Sequence, residues 1–64
     1  MKTAPDLMKE ARARLDLTQR EVAERLGITA QEVSSIENGR RRPGLVLAVH
    51  ISRVLGLPVE KWVA

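Results

Sequence analysis

Apolar residues recur along this chain at helical spacing, and the breaks between runs fall at threonine, glycine and proline. Leu7, Met8, Ala11 and Leu15 form one stripe, which predicts a first helix over Pro5–Leu15. Thr3 stands in position to cap it, and Pro5 is tolerated in a first turn where no amide partner is needed. Val22, Leu26, Ile28, Val33 and Ile36 then predict two short amphipathic helices within Gln19–Asn38, either side of Gly27. Each opens on a T-x-x-E box, Thr18 with Glu21 and Thr29 with Glu32, in which the hydroxyl accepts from the N3 amide while the glutamate accepts from the threonine amide. Gly27 occupies the position where a helix ends in a left-handed conformation that only glycine adopts without steric cost. Ala23 is small where these helices should approach most closely, crossing at a steep angle. Asn38-Gly39 stops the third helix, which spans Thr29–Asn38. A fourth runs over about Leu45–Leu55 to Gly56, and Pro58 opens a short fifth over Val59–Val63. No apolar-polar alternation bounded by turns suggests a strand, so the fold class is all-α, a compact five-helix arrangement.

Length and composition narrow the function. At 64 residues the chain has room for one domain, residues 1–64, and it buries only about 60% of its unfolded surface. Hydrophobic residues make up 44% and are almost all aliphatic, enough for a small helical core. Trp62 is the single aromatic, which argues against a stacking platform for RNA or single-stranded DNA. The absence of cysteine excludes a disulfide framework and thiolate zinc ligation. No apolar run is long enough for a membrane span and no signal-peptide pattern opens the chain, so a cytoplasmic protein is expected. The net charge of +3 says less than its placement: Arg40, Arg41 and Arg42 directly follow the third helix.

The paired short helices around Gly27 have the pattern of a DNA-binding helix-turn-helix. From Leu7 to Val63 the chain resembles the Cro and phage-repressor type of this domain, found in lambdoid repressors and many small bacterial regulators. The resemblance rests on LTQREVAERLGIT at Leu17–Thr29, V-x-x-I-E-N-G at Val33–Gly39, R-x-P at Arg41–Pro43, and LG at Leu55-Gly56. It implies a lambda-repressor-like fold with the motif at residues 19–38. Thr29–Asn38 would lie in the major groove of double-stranded DNA, with the second helix crossing the backbone. Thr29, Ala30, Gln31, Ser34 and Ser35 are then the candidate base contacts. Gln31 is the best reader among them, because its amide pairs bidentately with adenine N6 and N7. Ala30 or the Thr29 methyl could meet a thymine methyl, whereas the two serines discriminate little. Glu32 is assigned to its capping box.

Thr18 and Gln19, at the N-terminus of the second helix, are expected on phosphate, where backbone amides and the helix dipole favour an anion. Asn38, Arg40, Arg41 and Arg42 are expected to contact phosphate at the other end. The resemblance assigns Arg12 and Glu37 to a partly buried structural ion pair joining the first helix to the third.

Several positions depart from the family pattern. Asp16 stands where glycine is common, and Gly44 replaces a serine or threonine cap. The recognition helix carries no arginine or lysine, so bidentate guanine contacts are not expected. The fourth helix, LVLAVHISRVL, is apolar nearly all round, with Val46 and His50 where family members usually carry charge. Such a surplus marks an association surface. A two-fold homodimer is expected through Val46, Val49, His50, Val54, Leu57, Trp62 and Val63, with Trp62 also filling part of the core.

His50 is the sole histidine and has no cysteine beside it, so no metal site is assigned. No nucleophile-base grouping or phosphate loop is evident either, and neither enzymatic activity, a cofactor nor a small-molecule ligand is expected. The leading reading is a sequence-specific transcriptional regulator, a repressor. The alternatives are a DNA-binding antitoxin that also grips a toxin, and a protein-binding adaptor built on the same fold.

Overall fold

The structure is a computed structural model and describes residues 2–63, the side chain of Val63 lying outside what is described. The described residues form helices α1 (Ala4–Arg14), α2 (Gln19–Leu26), α3 (Ala30–Glu37), α4 (Leu45–Leu55) and α5 (Glu60–Val63), and contain no strand. This is the all-α, lambda-repressor-like architecture expected, with element ends within a residue or so of the sequence reading.

Local chemistry sets the helix starts. Thr18 and Thr29 both form their full capping boxes, with Glu21 and Glu32 accepting from the threonine amides at 3.0 and 3.3 Å. A third box opens α1. The Thr3 hydroxyl oxygen accepts from the Asp6 amide at 3.3 Å, and Asp6 accepts from the Thr3 amide at 3.2 Å. The shorter aspartate does here what glutamate does in the other two.

The helix ends share one closure. After α1, α2, α3 and α4 the chain turns through a positive-φ residue, at Asp16, Gly27, Gly39 and Gly56. The next amide then donates to a carbonyl five residues back, as Leu17 to Arg12 and Ile28 to Ala23. Donation over that distance satisfies a carbonyl left open at the helix end. Asp16 performs this turn at φ +57 despite having a Cβ. Aspartate is among the few non-glycine residues that visit this region.

The core is assembled from one stripe of each helix. Met8, Val22, Val33, Ile36 and Ile51 are fully buried, and Ala11, Ala23 and Ala48 let the helices approach closely. Each large apolar side chain so enclosed contributes about 1.5–3 kcal/mol relative to exposure. α2 packs mainly on α3, while α4 crosses behind α2 and also meets α1 and α5. α3 is thereby held with one face inward and the other uncovered.

Two expectations about apolar residues are corrected. Leu15, placed in the buried stripe of the first helix, is 49% exposed because α1 ends at Arg14 and the turn carries Leu15 outward. Trp62 is 5% exposed, so its ring belongs to the core and has no surface to offer an interface. Val54 and Leu57 also pack partly against the core. What α4 leaves uncovered is Leu45 and Val46, 66% and 72% exposed, beside half-buried Val49 and exposed His50.

Candidate nucleic-acid interface

α3 has two unlike sides. Val33, Ile36 and Glu37 face inward, and at 3.6 residues per turn the opposite side falls on Gln31, flanked by Ser34 and Ser35. Thr29, Ala30 and Gln31 are exposed, whereas Ser34 and Ser35 are half-buried. Polar groups on this side differ in how far they are already engaged. The Thr29 hydroxyl donates to Glu32 at 3.2 Å and accepts from its amide, which leaves the Thr29 methyl as its freest contact. Ser34 Oγ accepts from Asn38 Nδ2 at 3.4 Å. The Ser35 carbonyl accepts from the amides of Arg40 and Arg41. Gln31 makes no side-chain hydrogen bond among the described residues, so its amide faces solvent with both donor and acceptor unused.

Behind this surface lies a polar network centred on Glu37, whose side chain is 1% exposed. Arg12 grips it with two N–H groups, Nε to Oε2 at 2.7 Å and Nη2 to Oε1 at 3.0 Å. Its third donor, Nη1, reaches the Leu17 carbonyl at 3.0 Å. The hydrogen bonds to Glu37 hold the Arg12 guanidinium above its ordinary pKa, against the desolvation that opposes charge. The expected ion pair of Arg12 and Glu37 is thus present, and it has a member the sequence did not disclose. Gln19 Nε2 donates to Glu37 Oε1 at 3.1 Å. One network therefore joins the end of α1, the turn before α2, the start of α2 and the end of α3.

Gln19 was expected to face phosphate. Its amide is half turned inward, with one N–H on Glu37 and the other left over. Thr18 has its hydroxyl and amide engaged in the box with Glu21, so only the unbonded first-turn amides of α2 remain beside it for an anion.

The three arginines after α3 have three different environments. Arg40 is exposed and makes no side-chain pair among the described residues. Arg41 Nη1 donates to Glu32 Oε2 at 3.0 Å, reaching back along α3 to its first turn. Arg42 places Nε and Nη2 on the Trp62 carbonyl at 3.3 and 2.9 Å, tying the loop to α5. The three arginines expected on phosphate are therefore not equivalent: the fork of Arg42 is engaged by the backbone of the last helix. Arg41, Arg42 and Lys61 border one cleft of about 300 Å³ beside Gly39.

No cluster of histidine, cysteine, aspartate or glutamate among the described residues could hold a metal ion. No described helix is long and apolar enough to cross a membrane.

The sequence model of the family described as Helix-turn-helix matches residues 8–62. An uncharacterized HTH-type transcriptional regulator of Methanothermobacter thermautotrophicus is 50% identical over 50 residues, 78% of this chain and 72% of that protein. A second, from Archaeoglobus fulgidus, is 38% identical over 53 residues, covering 83% of this chain and 75% of its own length. The uncharacterized HTH-type transcriptional regulator YgzD of Bacillus subtilis is likewise 38% identical over 53 residues, 83% of this chain and 80% of that protein. No solved structure gives a significant match.

Proposed function

Since the chain belongs to the Cro/C1-type helix-turn-helix family, we propose that it works as a DNA-binding transcriptional regulator, and specifically as a repressor that occludes its operator. The family is not enzymatic in general, and we assign this chain no catalytic role and place it in the cytoplasm with its DNA.

One observation carries the reading. Gln31 stands exposed and unbonded on the outward side of α3, opposite the buried Val33, Ile36 and Glu37. An amide in that position pairs with adenine N6 and N7 in the major groove without first breaking a bond of its own. Ala30 and the Thr29 methyl would lie against thymine methyl groups, with Ser34 and Ser35 adding weakly selective hydrogen bonds. The first-turn amides of α2 beside Thr18, the spare N–H of Gln19, Asn38 and Arg40 would hold the phosphates on either side. The Glu37 network supports this division by keeping α2 and α3 in one register.

A single α3 reads one half-site. We assign the second half-site to a second copy paired through Leu45, Val46, Val49 and His50, the apolar surface that α4 leaves uncovered. Two-fold pairing would set two recognition helices about 34 Å apart, one turn of duplex.

Selection of bound duplexes from a random pool tests this reading. A motif of two related half-sites is expected, and Gln31→Ala should lose about 1–3 kcal/mol on it and relax one A·T position. Failure to enrich any sequence would sink the regulator assignment. A mutant weaker on all sequences with its preference intact would show that Gln31 touches the backbone instead.

A further inference from the structure

We propose that Arg41, held in place by Glu32, reads a guanine from the flank of α3, so that the recognition surface extends beyond the recognition helix. This rests on the DNA-binding reading above and adds a specificity determinant to it.

The placement follows from three contacts. The Arg41 amide donates to the Ser35 carbonyl, which seats its backbone over the last turn of α3. Its side chain then runs back towards the helix start, where Nη1 meets Glu32 Oε2 at 3.0 Å. Glu32 is fixed in turn, because its other oxygen accepts from the Thr29 amide and hydroxyl. Glu32 and Ser35 are three residues apart and share one stripe of the helix, immediately beside Gln31. The guanidinium therefore lies along the edge of the surface that would enter the groove. The Arg41 side chain is 56% exposed, and Nε and Nη2 are unengaged among the described residues.

Electrostatics separates a base from a phosphate as its target. A phosphate brought to Arg41 would also be brought to the Glu32 carboxylate, and the two anions repel. Guanine O6 and N7 are neutral acceptors and incur no such penalty. They also match the planar fork of a guanidinium, which a lysine ammonium cannot reproduce. Glu32 contributes by ordering a long side chain before binding, so less rotamer freedom is lost on the base. The helix itself lacks arginine and lysine, and the loop that follows it supplies the missing donor.

The test compares wild type, Arg41→Ala, Arg41→Lys and Glu32→Gln on the selected duplex and on its single-pair variants across several salt concentrations. Glutamine also completes a capping box, so Glu32→Gln removes the carboxylate charge while keeping the helix start. Thermal unfolding confirms that each variant is folded. The expected result is that wild type prefers G·C at a pair adjacent to the one governed by Gln31. Arg41→Ala should erase that preference alone, weakening the preferred site by about ten- to a hundredfold with little change in salt slope. Arg41→Lys should fail to restore it, and Glu32→Gln should lower the G·C preference while strengthening binding to unrelated duplex.

Three results would overturn the inference: no G·C pair next to the Gln31 position, an unchanged preference in Arg41→Ala, or full rescue by lysine with the alanine salt slope reduced by about 0.9, the mark of a lost phosphate contact. Each leaves the regulator reading standing. A wild-type protein that selects no sequence removes that reading and this inference with it.

Discussion

Removing the arginine from the Glu37 network tests how the interface is held together. Arg12→Met keeps an unbranched apolar side chain in α1 but strips Glu37 of two charge-assisted hydrogen bonds and Leu17 of one. Breaking a buried pair by removing one partner costs about 3–5 kcal/mol, because a charge is left uncompensated. The lower end applies here. Arg12 retains 22% side-chain exposure, so water can reach the vacated position, and Gln19 still donates to Glu37. A 64-residue domain has a total stability of about 3–10 kcal/mol, so a loss of about 3 removes roughly 30% of it or more. The midpoint of thermal unfolding should fall by about 12–24 °C.

Urea titration followed by far-ultraviolet circular dichroism measures the loss. The double mutant Arg12→Met/Glu37→Leu supplies the internal control. With both charges gone and apolar groups in their place, most of the stability should return, giving a coupling of about 2–3 kcal/mol between the sites. Duplex binding should follow the same order, because Glu37 ends α3 and Gln19 begins α2. A single mutant within about 1 kcal/mol of wild type, or losses that simply add in the double mutant, would refute the reasoning. The pair would then contribute no more than a solvent-exposed one does.

Other expectations follow from the same geometry. Arg40→Ala should weaken specific and non-specific duplexes alike and lower the salt slope by about 0.9, and an unchanged slope would show that Arg40 is merely solvated. Val46→Glu should leave the unfolding midpoint near wild type, since Val46 is 72% exposed, yet reduce self-association and operator affinity. Sedimentation showing a monomer at high micromolar concentration, with or without the mutation, would remove the solution dimer. Gly27→Ala meets no neighbour within 4 Å, so only its φ of +71 matters. The left-handed backbone costs about 1–2 kcal/mol, partly offset by a stiffer unfolded chain, and the midpoint should drop by about 4–8 °C. The Thr18 amide, and then its hydroxyl, hold the Glu21 carboxyl below its ordinary pKa. The folded state therefore binds that proton less readily than the unfolded state, and the box's contribution is present above the unfolded value of about 4.3 and lost as pH falls through the lower folded one. Glu21→Gln, which keeps the box but removes the titrating carboxyl, should flatten stability against pH in that acid range, and a curve parallel to wild type would count against this linkage.

Sequence and structure divide along the range of the interactions involved. Capping boxes span three residues, helix stripes repeat every three or four, and a left-handed stop needs one glycine. Such local signals are legible in the sequence alone, and α2, the Gly27 turn, α3 and α4 lie where the pattern places them. At Thr3 the sequence marks the cap, but aspartate at N3 lies outside the T-x-x-E pattern, so the complete box emerges only in the structure. The core followed from the same periodicity, except where a helix end moved a residue outward, as at Leu15.

Long polar side chains follow no such local rule. Gln19 finds Glu37 eighteen residues away, Arg41 finds Glu32 nine away, and Arg42 finds the Trp62 carbonyl twenty away. Three consecutive arginines look alike in sequence because their partners are chosen by which elements the fold brings within reach of a side chain. By itself, then, the sequence determined that this is a helix-turn-helix chain with Gln31 on the outward face of α3. Only the tertiary structure decided which of its charges remain open to DNA, because that depends on contacts between segments that periodicity cannot connect.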